Sequence, residues 1–154
     1  FIAAVIESCQ YEPLDMLMYY DARPGGMNGM FSTDRICDKL KGYYPFYMFN
    51  QLYGLDHAVA VERDSVDVWA VAATGEERCV MLSYYTDDDT APEKTVKVEL
   101  SGVESKNGVR LEYYCLDGEH DCELVREEIF TASDFAVCVK MPRWSSYLLK
   151  VIAL

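Results

Sequence analysis

Tyr20, Asp21 and Arg23 are the residues whose types and spacing best suit chemistry on a polar ligand. They close the apolar run Leu14-Asp15-Met16-Leu17-Met18-Tyr19-Tyr20 and open a loop punctuated by Pro24-Gly25-Gly26 and Asn28-Gly29. A phenol, a carboxylate and a guanidinium together offer donors and acceptors to hydroxyl groups, or can orient a further carboxylate. Asp21 and Arg23 could equally pair with each other and merely fix the loop. The remaining polar candidates carry less. His57 and His120 each stand without a second histidine at ligand spacing, so no metal site is expected. Asp87-Asp88-Asp89 lacks the ordered spacing of a calcium loop and reads as a solvated hairpin. Cys9, Cys37, Cys79, Cys115, Cys122 and Cys138 contain no C-x-x-C pair. Cys79 and Cys138 fall inside apolar strand patterns, where a free thiol behaves as a small hydrophobe. No cofactor is expected, and unpaired cysteines favour a reducing, cytoplasmic setting.

The elements that must position these residues divide the chain in two. Residues 1–9 have helical composition and Pro13 forbids continuation. Residues 14–20 are nearly continuously apolar, as in a parallel strand covered on both faces. Residues 41–53 read as an aromatic helix, with Pro45 in its first turn and Gly54 at its end. Tyr44, Met48, Gln51 and Leu52 share one face of it by spacing. The aromatics Tyr43, Tyr44, Phe46, Tyr47 and Phe49 are expected to pack between two bodies rather than to form an exposed stacking platform. This helix–strand–loop–helix order is the repeating unit of an α/β barrel.

From His57 the period changes to that of strands. Segments 66–73, 77–85, 95–100, 109–116, 123–130, 135–141 and 146–152, with a weaker one at 58–62, are separated by turn residues such as Asp117-Gly118. Trp69 and Trp144, in or beside strands, are expected in the core. The fold class expected is mainly β: an antiparallel β-sandwich of about eight strands, preceded by the last helix–strand–helix unit of a (β/α)8 barrel. The boundary falls between residues 1–55 and 56–154, and the short join predicts that the two parts pack together.

The net charge of −12 speaks against nucleic acid and anionic membrane as partners, since both need a basic footprint. Most of the acid lies in residues 57–154, with 19 acidic and 10 basic side chains, and reads as a solvated surface. No apolar run approaches the ~20 residues of a membrane span. The opening Phe1-Ile2-Ala3-Ala4-Val5-Ile6 lacks the basic flank of a signal peptide.

Met18-Tyr19-Tyr20-Asp21-Ala22-Arg23-Pro24 with Met27-Asn28-Gly29-Met30-Phe31, then Lys41-Gly42-Tyr43-Tyr44-Pro45-Phe46-Tyr47-Met48-Phe49, resembles the end of a glycoside hydrolase barrel. The resemblance is to the β-xylosidase/α-iduronidase-like type, in which a (β/α)8 barrel is followed by a small β-sandwich. Tyr147-Leu148-Leu149-Lys150-Val151 looks like the last strand of that accessory domain. The resemblance implies that residues 1–9, 14–20 and 41–54 are the seventh helix, eighth strand and eighth helix of the barrel. It also implies a retaining mechanism with two glutamates about 5 Å apart. Those glutamates lie at the ends of the fourth and seventh strands, so both would fall upstream of Phe1. Glu7 and Glu12 would sit at the wrong end of the barrel, and no residue of this chain is expected to be catalytic.

The function so implied is the C-terminal fragment of a glycoside hydrolase acting on plant or microbial polysaccharide-derived glycosides. Its sandwich supports the barrel, and the fragment alone is inactive. Carbohydrate would be met through the missing barrel, with Tyr20, Asp21 and Arg23 lining a sugar subsite. Residues 14–20 would pair with the N-terminal remainder of the same enzyme or with a second copy. The alternative is a free-standing carbohydrate-binding or adhesion sandwich without catalysis, and a purely structural module is a third. Coplanar exposed aromatics on one sheet face would favour the carbohydrate-binding module; aromatics buried against residues 41–54 favour the hydrolase.

Overall fold

Alternation of side chains decides which strands are covered once and which twice. The computed structural model describes residues 1–20, 22–25, 28–35, 38–103 and 105–154. In chain order these form α1 (Ile2–Cys9), a 3-10 turn (Lys41–Tyr43) and α2 (Tyr44–Tyr53). The strands follow: β1 (His57–Val59), β2 (Val68–Thr74), β3 (Arg78–Tyr84), β4 (Lys94–Leu100), β5 (Val109–Leu116), β6 (Asp121–Phe130), β7 (Phe135–Met141) and β8 (Ser146–Ala153). Six of them pair antiparallel in the order β1-β2-β3-β8-β5-β6, while β4 and β7 form a second, two-stranded sheet.

In β3 every residue from Cys79 to Tyr84 is buried, so the large sheet must be covered on both faces. One face carries Val80, Leu82, Tyr84, Leu111, Tyr113, Leu149 and Val151, which meet Val137, Val139 and Met141 of the small sheet. The other carries Val71, Ala73, Cys79, Met81 and Leu148, which meet Ala3 of α1 and Met48 and Leu52 of α2. The small sheet is covered once: in β4, Lys94, Val96, Val98 and Leu100 are half-buried while Thr95, Lys97 and Glu99 are exposed. The outer strand β6 is mostly exposed and rich in charge, which blunts the edge against pairing with other chains. Arg126 binds Glu128 there at 2.6 Å, and Tyr113 donates to the same carboxylate.

Three expectations need correcting. Residues 14–20 are not a strand: they run without a ladder, and Met16 and Met18 are 71% and 82% exposed. A buried parallel strand takes its hydrogen bonds from neighbours on both edges, and no described segment of this chain lies beside it in that role. Trp144 is not core but half in solvent, in the β7–β8 connection with a φ of 63°. Its indole nitrogen donates to Thr86 O at 2.9 Å, and the Arg143 guanidinium lies over its ring. Cys138 is exposed, because residues 136, 138 and 140 of β7 point away from the sandwich. The helices stand where the sequence placed them, and α2 packs its Met48 and Leu52 onto the sheet as their spacing requires.

Candidate functional site

The loop after residue 20 is closed by backbone contacts that glycine makes possible. Gly25 donates to Phe31 O at 3.0 Å and has a φ of +80°, where a side chain would be strained. A Cβ on Gly29 would meet Gly25 O at 2.4 Å, so the chain can fold back on itself only with glycine there. Tyr19 anchors the preceding turn by donating to Asn28 O at 2.9 Å, while its ring meets Phe46 of α2 edge-on at 5.2 Å. Phe31 and Tyr43 pack at 5.7 Å, which ties the loop to the helical segment.

On this frame Tyr20 and Arg23 come together. Arg23 Nη2 donates to Tyr20 Oη at 3.3 Å, and the guanidinium stands 5.8 Å from the ring centroid. Both are exposed, Tyr20 to 76%, so a phenol face and a guanidinium edge are presented jointly to solvent. That pair can donate hydrogen bonds to hydroxyls and stack against a sugar ring. Asp21, the third residue of the expected subsite, lies outside the described residues.

A second cluster was missed by the sequence reading. The β5–β6 hairpin brings Cys115, Asp117 and His120 together, with their ligand atoms within 4.8 Å of one another. Asp117 Oδ1 accepts from the backbone N–H of Glu119 and of His120, both at 2.8 Å, and contacts His120 Nδ1 at 2.9 Å. Cys115 Sγ donates to Asp117 Oδ2 at 3.4 Å. Burial would raise the Asp117 pKa, but those backbone donors and the His120 ring together bring it down to about 2. The signal was present as Cys-x-Asp-x-x-His, and a search for paired histidines passes over it.

The helical side holds a third unusual group. Glu7 of α1 is fully buried, and neither carboxylate oxygen has a hydrogen-bond partner among the described residues. Ser83 Oγ lies beside it and also shares a hydrogen bond of 2.8 Å with Ser146 Oγ, in which either hydroxyl can be the donor. Burial therefore pushes the Glu7 pKa well up, with Ser83 and Arg63 offsetting it only in part. Arg63 itself lies over the Trp69 ring at 4.2 Å. Glu12, in the turn after α1, is exposed.

No protein-family model matches the sequence, and no curated protein does. Solved structures do match. A glucosidase from Croceicoccus marinus aligns with a TM-score of 0.68 and 12% identity, over 82% of this chain and 33% of its own. A glycoside hydrolase family 30 subfamily 8 xylanase from Clostridium acetobutylicum aligns at 0.60 and 16% identity, over 84% and 32%. A GH39 enzyme from Xanthomonas axonopodis pv. citri aligns at 0.61 and 7%, over 75% and 31%. The sandwich with its helical cover is thus a fold found in glycoside hydrolases, and the chain spans about a third of the length of these structures.

Proposed function

We propose that this chain is the C-terminal portion of a retaining glycoside hydrolase, in which residues 14–20 complete a (β/α)8 barrel and the sandwich supports it. The observation that carries the reading is the pairing of a shared fold with an exposed apolar run. The fold recurs in enzymes about three times as long. Leu14, Met16, Leu17 and Met18 meanwhile stand in water, although burying each such side chain contributes about 1.5–3 kcal/mol. Seven further barrel strands would supply both edges of this segment and cover its side chains. Paired on both edges the segment would become a strand, and Tyr20 and Arg23 would then lie at its C-terminal end, the rim where barrel active sites are built, and would hydrogen-bond the sugar. The two carboxylates would come from the rest of the barrel, about 5 Å apart. Tyr44 and Phe49 pack against the sheet core rather than forming an exposed aromatic face, which favours this reading over a free-standing carbohydrate-binding module.

The test joins the coding sequence upstream of Phe1 to an assay. A repeating strand–helix pattern with two strand-end glutamates is expected there. The protein that includes it should hydrolyse aryl glycosides with retention, while this chain alone shows no turnover. A start codon directly before Phe1, or turnover by the purified chain, would overturn the reading.

A further inference from the structure

We propose that Cys115, Asp117 and His120 form a zinc site that staples the β5–β6 hairpin, independently of any glycosidase role. Among the described residues this is the group of three whose thiol, carboxylate and imidazole ligand atoms converge within 4.8 Å. A tetrahedral zinc holds sulfur at ~2.3 Å and oxygen at ~2.0 Å, which sets those two ligands about 3.5 Å apart. Cys115 Sγ and Asp117 Oδ2 already stand at 3.4 Å.

The carboxylate is aimed rather than free to turn. Its Oδ1 is held by the N–H groups of Glu119 and His120, which leaves Oδ2 facing the thiol. The His120 ring needs only to exchange its Oδ1 contact for the metal, carrying its proton on Nε2 and ligating through Nδ1. Cys115 gives up its thiol proton to solvent, so one thiolate, one carboxylate and one Zn²⁺ make a neutral centre. Neutrality suits a place where Cys115 is buried and His120 is half-exposed. A thiolate with imidazole and carboxylate selects zinc over calcium or magnesium, which prefer oxygen. The fourth position falls to water on the solvent side of His120.

The consequence reaches the helical segment. Lys41 Nζ donates to His120 O at 2.8 Å and pairs with Asp121 at 2.6 Å, so a metal that fixes this turn also fixes the anchor of the 3-10 turn before α2.

Titrating Co²⁺ into the reduced, metal-free full chain tests this. A thiolate-to-cobalt charge-transfer band is expected to saturate at one equivalent and to be displaced by Zn²⁺. His120→Gln and Cys115→Ser should each weaken binding by about tenfold or more, whereas Cys138→Ser, on the other sheet, should leave it unchanged. His120 is half-exposed, so His120→Gln keeps the test decisive even where Cys115→Ser fails to fold. Absence of the band, or an affinity unchanged in His120→Gln, would overturn the site.

Discussion

Residues 14–20 and strand β3 are both seven-residue apolar stretches with opposite fates. Met81 in β3 is fully buried, while Met18 is 82% exposed. The difference lies in their neighbours. Strand β3 pairs along its length with β2 on one edge and β8 on the other, and each face is covered by a separate layer. Residues 14–20 have neither edge nor cover among the described residues. An apolar strand sequence states a demand for two edges and two faces; only the surrounding chain can meet it.

The contrast can be broken most sharply by truncation. Leu149 of β8 is fully buried beside β3, and Leu149→Ala should lower the unfolding free energy by about 2–5 kcal/mol in a denaturant titration. Met18→Ala should change it by less than about 0.5 kcal/mol. Equal effects would mean that residues 14–20 belong to the same cooperative core. Amide exchange should give the same order, with β3 opening only on global unfolding and residues 14–20 exchanging freely.

A smaller effect probes the helical cover of the sheet. Because burial raises the Glu7 pKa above its unfolded value, the folded chain holds that proton more tightly than the unfolded one. Glu7 therefore carries no charge penalty at acid pH, and stability falls as pH rises from roughly 4.3, the unfolded value, through the raised folded one. Glu7→Gln should remove that slope and leave the variant more stable by about 1–3 kcal/mol at the alkaline end. Urea midpoints of parent and variant across pH measure it, and parallel curves would show that Glu7 is paired in solution.

The smallest effect tests the tie between the 3-10 turn and the β5–β6 hairpin. Lys41 and Asp121 are each about half-exposed, so Lys41→Ala should cost less than about 1 kcal/mol, falling further in high salt. A larger loss would show that the hairpin governs docking of α2 on the sheet.

How much was legible follows the same physics. The period of two in residues 135–141 and the apolar spacing of Met48 and Leu52 are local, and the strands and helices arose where those patterns lie. Tyr20 and Arg23 are three residues apart, close enough for a turn to bring them into contact. The run at 14–20 misled because its pattern is that of a strand whose partners the described residues do not supply. Cys115, Asp117 and His120 escaped notice because their convergence depends on the bulged end of a hairpin, where the β5–β6 register shifts between Cys115 and Leu116.

By itself the sequence determined the two helices and the strands from residue 57 onward, their order and the sidedness of each strand, because backbone geometry fixes where every second or every third to fourth side chain points. Tertiary structure alone decided which sheet is covered twice, that β1-β2-β3-β8-β5-β6 is the strand order, and that the Glu7 carboxylate is buried without a hydrogen-bond partner among the described residues. Those outcomes depend on contacts between residues far apart in the chain. Local pattern does not encode which of several compatible apolar faces will meet.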